Sequence, residues 1–167
     1  MTLSGPISNA LDQLSGNLID GNAGYSSFLD PIQGLIGPCY FAVSLLEPHT
    51  VLRRIFSNQE DQYPVGVVKS MAGTGWETAI VFEKRHLFSP DPAALHRAFP
   101  DADAIIDHGF GCAINLRMEF KGVLLGTVNL LAKLNAFNTV SFNHAKAFVA
   151  PLTLLTAIEA QNYDGTP

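Results

Sequence analysis

At 167 residues with a formal charge of −5 and a pI near 5.4, the chain fits one domain large enough for its own core. The acidic balance, with no Lys/Arg cluster, argues against nucleic acid as a partner. Hydrophobic residues at 47% against 15% charged exclude a disordered chain, and no apolar run reaches the roughly 18–20 residues of a membrane span.

Met1-Thr2-Leu3-Ser4-Gly5-Pro6 has neither a basic n-region nor an apolar h-region. The sequence therefore reads as cytoplasmic, with no secretory signal and no membrane partner. In that compartment Cys39 and Cys112 are expected as two buried thiols rather than a bridge. Ile7, Leu11, Leu14 and Leu18 fall at helical spacing, which predicts an N-terminal amphipathic helix over 1–24, ended by Asp20-Gly21-Asn22. Its narrow apolar stripe suits an oligomer seam. The remaining domain spans 25–167.

Tyr25 to Ile36 is a weaker helical stretch, entered near Ser26-Ser27 and broken by Gly34 and Gly37-Pro38. Cys39 to Leu46 reads as a strand stopped by Glu47-Pro48, with Thr50 to Ser57 as its hairpin partner. Asn58 to Met71 reads as a mostly irregular loop holding Tyr63-Pro64-Val65-Gly66, long enough to suggest a binding loop or lid. Gly75 to Phe82 predicts a helix, Leu87-Phe88 a short strand, and Asp91-Pro92 the cap and first residue of another helix. A further short helix runs from Pro100-Asp101 to about His108, broken by Gly109 and Gly111.

Cys112 to Phe120 alternates cleanly: Cys112, Ile114, Leu116, Met118 and Phe120 share one face, and Ala113, Asn115, Arg117 and Glu119 the other. Lys121-Gly122 separates this strand from Val123 to Leu131. Because Lys tolerates positive φ poorly, a type I turn closed by a Gly bulge is expected, pairing Ile114 with Val128 and Leu116 with Gly126. Asn115, Arg117, Thr127 and Asn129 then gather on one sparsely polar face, which suits a small-molecule pocket. Asn138 or Thr139 caps a closing helix that carries Phe148, Leu152 and Leu155, and Pro151 should kink it.

The order of elements gives an α+β fold: an antiparallel sheet with terminal helices on one face and a helical insertion on the other. From Tyr25 to Ala160 the chain resembles a GAF domain. The resemblance rests on Arg53 to Asn58 leading into Tyr63-Pro64-Val65-Gly66, then Gly75-Trp76, Gly111 to Leu116, Gly126 to Leu130 and the closing helix. It implies a GAF-like antiparallel sheet whose insertion covers a pocket for a small-molecule ligand of unknown identity. It further implies a homodimer through the terminal helices. A stand-alone sensor or regulatory module would then act through a protein effector. Ala132 to Phe137 is followed by Asn143 and His144, where cyclic-nucleotide GAF domains carry an acidic pair. Cys39 and Cys112 are too few and too scattered for the cysteine cluster of the methionine sulfoxide reductases with this fold. Asp107 to Cys112 likewise departs from the Cys-His arrangement that attaches bilins.

The ligand-binding set expected from the sequence is Tyr63, Trp76, Asp107, His108, Cys112, Asn115, Thr127 and Asn129. The alternative is a small enzyme, in which His108, oriented by Asp107, would activate the Cys112 thiol. Against this, the alternation puts Cys112 on the apolar face beside Ile114, as an inert small hydrophobe. Arg54, next to Arg53 on a strand, reads as surface charge ahead of the alternative of an anchor for an acidic ligand, and His49, His86, His96 and His144 show no metal-ligand spacing.

Overall fold

A computed structural model describes residues 21–163 and the side chains of 22–160. Ile7, Leu11, Leu14 and Leu18, and so the expected N-terminal seam, lie outside the described residues. Within them the order is α1 (Gly21–Ser26), α2 (Leu29–Ile36), β1 (Tyr40–Glu47), β2 (Val51–Ser57) and β3 (Val68–Ser70). Next come α3 (Gly75–Glu77), running on as a π-helical turn (Thr78–Phe82), then β4 (Leu87–Ser89), α4 (Pro92–Ala98) and α5 (Ala102–Asp107). The chain closes with β5 (Cys112–Phe120), β6 (Val123–Ala132), α6 (Thr139–Ala145), a 3-10 turn (Lys146–Phe148) and α7 (Val149–Tyr163).

The six strands form one antiparallel sheet in the order β3-β2-β1-β6-β5-β4. Strict alternation along β1 divides the core in two. Phe41 and Val43 face the terminal helices and pack with Phe28, Phe148 and Leu152, while Tyr40 and Ala42 face the insertion and pack with Trp76 and Ile80. The α+β layering expected from the element order is therefore present, with a helical layer on each side of the sheet.

Four local expectations are corrected. Gly21 and Asn22 lie inside α1 rather than ending a helix. Gly34 sits inside α2, which runs on to Ile36 and stops at Gly37, where φ is 93°. The stretch after Asn58 contains β3, a short edge strand whose Val68 pairs with Arg53 and whose Ser70 pairs with Val51. Finally, the central hairpin closes through a two-residue turn. Lys121 (φ 50°) and Gly122 (φ 80°) are both left-handed, and Phe120 sits opposite Val123.

A primed turn of this kind matches the right-handed twist of its strands, which offsets the strain at Lys121. Leu125 is then bulged out between the pairs Glu119–Leu124 and Met118–Gly126. The register beyond the bulge pairs Ile114 with Leu130 and Leu116 with Val128, two residues from the expected pairing. A slip of two leaves every side chain on its expected face. The bulge depends on Gly126: its φ is 157°, and a Cβ there would lie 1.9 Å from the Ser44 carbonyl oxygen on β1.

Asp91 caps α4 by accepting from the Ala94 N–H at 2.8 Å, and Asn138 caps α6 by accepting from Val140 and Ser141. The break before α7 falls one turn ahead of Pro151, which lacks the N–H that would bond the Ala147 carbonyl. At the β4 edge, the Arg117 N–H donates to His86 Nδ1 at 2.9 Å. Burial lowers the His86 pKa, and Lys146 and Arg117 lower it further.

Gly126→Ala should cost stability in the upper part of the roughly 1–3 kcal/mol overpacking range, read as a lower denaturant midpoint at unchanged slope. His86, with its folded pKa depressed, contributes stability above its unfolded value near 6.5. That contribution is lost as pH falls from about 6.5 toward the folded pKa, because the unfolded chain takes the proton first. Exposed His96 runs the opposite way, since its bond to Asp103 raises its pKa. His86→Asn, which keeps an acceptor but cannot titrate, should flatten the loss of thermal stability as pH falls below about 6.5.

Candidate functional site

The site follows from how the insertion is pinned to the sheet. Gly75 packs against the end of α4 so closely that a Cβ would come within 2.3 Å of the Arg97 carbonyl oxygen. Thr74 caps the α3 turn by accepting from the Glu77 N–H, and Glu77 in turn accepts from Thr50 Oγ1 at 2.6 Å and from the Gly73 N–H at 2.7 Å. These bonds hold the Glu77 carboxyl below its ordinary range. From the sheet side, Arg117 Nε donates to the Ile80 carbonyl at 2.9 Å, and its guanidinium also pairs with Glu119. Trp76 is thereby driven fully into the interior, where its Nε1–H donates to Asn115 Oδ1 at 3.2 Å.

That bond fixes the Asn115 amide. Indole nitrogen only donates, so the atom facing it must be the oxygen. The amide nitrogen is left as a buried donor with no hydrogen-bond partner, on a side chain that is 1% exposed. Beside it on β6, Asn129 is satisfied: its Oδ1 accepts from Thr127 Oγ1 at 3.0 Å, and its Nδ2 donates to Ser44 Oγ at 3.1 Å.

Asn115 and Asn129 line a cavity of about 180 Å³ between the sheet and the insertion. Trp76, Met71, Leu52 and Ile105 supply apolar wall, and Tyr40 contributes a buried ring whose hydroxyl makes no hydrogen bond of normal geometry. Burial raises the Tyr40 pKa, opposed by the nearby Arg54 and Ser57. Tyr63 covers this end. Its ring lies 4.6 Å from that of Tyr40, its hydroxyl meets His108 Nδ1 at 2.8 Å, and the Arg54 guanidinium sits 5.3 Å from its centroid. Burial, then Tyr40 and Asp101, push the Tyr63 pKa up to about 12, so it stays a neutral phenol.

Three charged side chains line the cavity: Arg54, Lys69 and Asp101. Lys69 Nζ pairs with Asp101 at 2.6 Å and lies 5.4 Å from the Phe99 centroid. Burial lowers the Lys69 pKa, and Asp101 opposes that fall. Arg54 donates to the Pro64 carbonyl at 2.9 Å, holding the loop that carries Tyr63. Placing Arg54 on the surface is thus corrected, because β2 turns it toward the insertion.

The sequence-derived site divides in two. Tyr63, Trp76, Asn115 and Asn129 converge on the cavity, with buried Thr127 behind Asn129 and His108 behind Tyr63. Asp107 and His108 are exposed at the end of α5. Cys112 is on the other side of the sheet, packed with Ile114, and its thiol donates to the Lys133 carbonyl at 3.1 Å. Desolvation raises the Cys112 pKa, the reverse of what a nucleophilic thiolate needs. The Asp107, His108 and Cys112 neighbourhood in sequence is therefore not a cluster in space. Both cysteines are buried and free. Lys69, Asp101 and Tyr40 were not anticipated as site residues. Alternation through Val67-Val68-Lys69-Ser70-Met71 was the available signal for the first.

No protein-family model and no curated protein matches the sequence. Solved structures do match in fold. The GAF domain of an Acinetobacter phosphoenolpyruvate-protein phosphotransferase aligns over 98% of this chain and 100% of its own, at 9% identity and a TM-score of 0.70. The GAF domain of the corresponding Coxiella burnetii enzyme aligns over 96% and 99%, at 12% identity and a TM-score of 0.70. The phycoerythrobilin-bound GAF domain of a cyanobacterial phytochrome aligns over 98% and 100%, at 13% identity and a TM-score of 0.69. The chain has the GAF-domain fold.

Trp76→Phe removes the indole donor and leaves Asn115 Oδ1 unpaired. It should cost about 2–4 kcal/mol from the orphaned acceptor and the enlarged cavity together, measured by chemical denaturation.

Proposed function

Taking the GAF-domain fold as premise, we propose that this chain is a small-molecule-binding sensory module that acts through a protein partner. The observation that carries the reading is the unpartnered Asn115 Nδ2, buried in the wall of a cavity. Buried donors are almost always paired, and leaving one unpaired costs stability that a ligand acceptor would restore. The phycoerythrobilin-bound neighbour supports the reading as a domain of this fold that holds a small molecule.

In this scheme Tyr63, Trp76, Asn115 and Asn129 contact the ligand, Thr127 orients Asn129, and His108 holds Tyr63 closed. Asp107 and Cys112 take no part. A homodimer through the terminal helices belongs to the same proposal. Exposed Val140 on α6 and Leu154 on α7 support it, as large apolar side chains on that layer. The proposal places the module in the cytoplasm, where free buried Cys39 and Cys112 suit a reducing compartment. No helix among the described residues is long and apolar enough to cross a membrane.

Native and denaturing mass spectrometry of freshly purified protein tests this, with Trp76, the only tryptophan, as an emission probe inside the cavity. A dimer carrying a mass that leaves on denaturation, with a change in Trp76 emission when that mass is added back, is the expected result. A ligand-free monomer whose Trp76 emission is unmoved by any fraction of a metabolite extract would overturn the proposal.

A further inference from the structure

The cavity also carries information about the chemistry of its occupant. We propose that the ligand is a compact organic monocarboxylate with a second oxygen acceptor at its far end, its carboxylate on Arg54 and that oxygen on Asn115 Nδ2. This inference rests on the binding reading above and adds the ligand class.

Charge comes first. The lining residues carry two cations and one carboxylate: Arg54, Lys69 and Asp101. Lys69 and Asp101 sum to zero at 2.6 Å wherever their shared proton lies, which leaves the cavity one positive charge in surplus. In a chain of net charge −5 that surplus is a local inversion of sign, and it is matched by a single negative charge. The planar fork of a guanidinium suits a carboxylate.

Size and span come next. An apolar cavity of about 150 Å³ accommodates one benzene molecule, so the 180 Å³ here suits a molecule built on a single ring or a short branched chain. Arg54 is on β2 and Asn115 on β5, with β1 and β6 between them. That is three strand spacings, roughly 14 Å at the backbone. The Arg54 side chain covers part of that distance, and a ring with substituents at opposite ends would bridge the remainder.

The far end must accept. Asn115 Oδ1 is committed to Trp76, so only the N–H donors of its amide remain for a ligand. A hydrocarbon end would leave that donor as unsatisfied as it is without ligand. The ring between the two ends would lie among Trp76, Tyr40 and Leu131.

The test uses ligand pairs that differ in one feature, with the full chain and Trp76 emission or calorimetry as readout. The probes are 4-hydroxybenzoate, its neutral isostere 4-hydroxybenzamide, and benzoate. The inference expects 4-hydroxybenzoate to bind about tenfold or more tightly than either of the others. Arg54→Gln should abolish the preference for carboxylate over amide, read as the ratio of the two affinities so that any loosening of the Tyr63 loop, which weakens both probes alike, cancels. Asn115→Leu removes the donor without adding a charge or an acceptor for the phenol, and should abolish the preference for 4-hydroxybenzoate over benzoate, with retained benzoate binding as the check that the cavity still forms. Equal or tighter binding of the amide overturns the carboxylate inference and leaves the binding module standing. So does failure of all three probes alongside a purified ligand that is neutral or cationic. Failure of the probes together with a ligand-free monomer overturns both.

Discussion

The hydrogen bond from Trp76 Nε1 to Asn115 Oδ1 is the constraint on which the rest of this structure turns. It joins a fully buried residue of the helical insertion to strand β5 of the sheet, 39 positions away in sequence. The Gly75 contact, the Glu77 brace to Thr50 and Gly73, and the Arg117 bond to Ile80 all act to place that indole. Without it, the polar face formed by Asn115, Thr127 and Asn129 would be an open sheet surface. With it, that face becomes a wall of the cavity.

Closing a polar face has a consequence for hydrogen bonding. Asn129 is satisfied by Thr127 and Ser44, residues of its own sheet, and so contributes a fixed and neutral wall. Asn115 has one half of its amide spent on the insertion and the other half unspent. A core evolved for stability alone would fill such a position with an apolar residue. The side facing the terminal helices is built mainly from Phe28, Phe41, Phe148, Leu152 and similar residues, while the insertion side carries the Asn115 cavity with Arg54, Lys69 and Asp101 in its lining.

That mouth is organised by aromatic and cationic stacking. Tyr63 is held between Tyr40 below, Arg54 beside it and His108 outside. Arg54 therefore serves two purposes: it steadies the Tyr63 loop through Pro64 and gives the chamber its surplus positive charge. The Lys69–Asp101 pair joins β3 to the start of α5 and lines the same cavity.

The sequence by itself determined what depends on short-range periodicity and local hydrogen bonding. Period-two alternation put Cys112, Ile114 and Leu116 on one face and Asn115 and Arg117 on the other, and that assignment survived a register two residues off. Asp91-Pro92 and Asn138 marked helix starts because a cap is a bond between near neighbours. The tertiary structure decided everything that needed residues from distant segments to meet. A left-handed Lys121 became acceptable only because the twist of both strands favours the primed turn, and the bulge at Leu125 then reset the pairing of β6 with β5. Three-residue β3 is too short to announce itself and exists because β2 offers it a partner. Asp107, His108 and Cys112 are close in sequence, yet the turn through Gly109 and Gly111 sends the thiol under the sheet and leaves the imidazole outside. Arg54, Lys69, Asp101 and Asn115 lie far apart along the chain. No periodicity links them, and only the curl of the sheet beneath the insertion brings their charges and donors to one cavity.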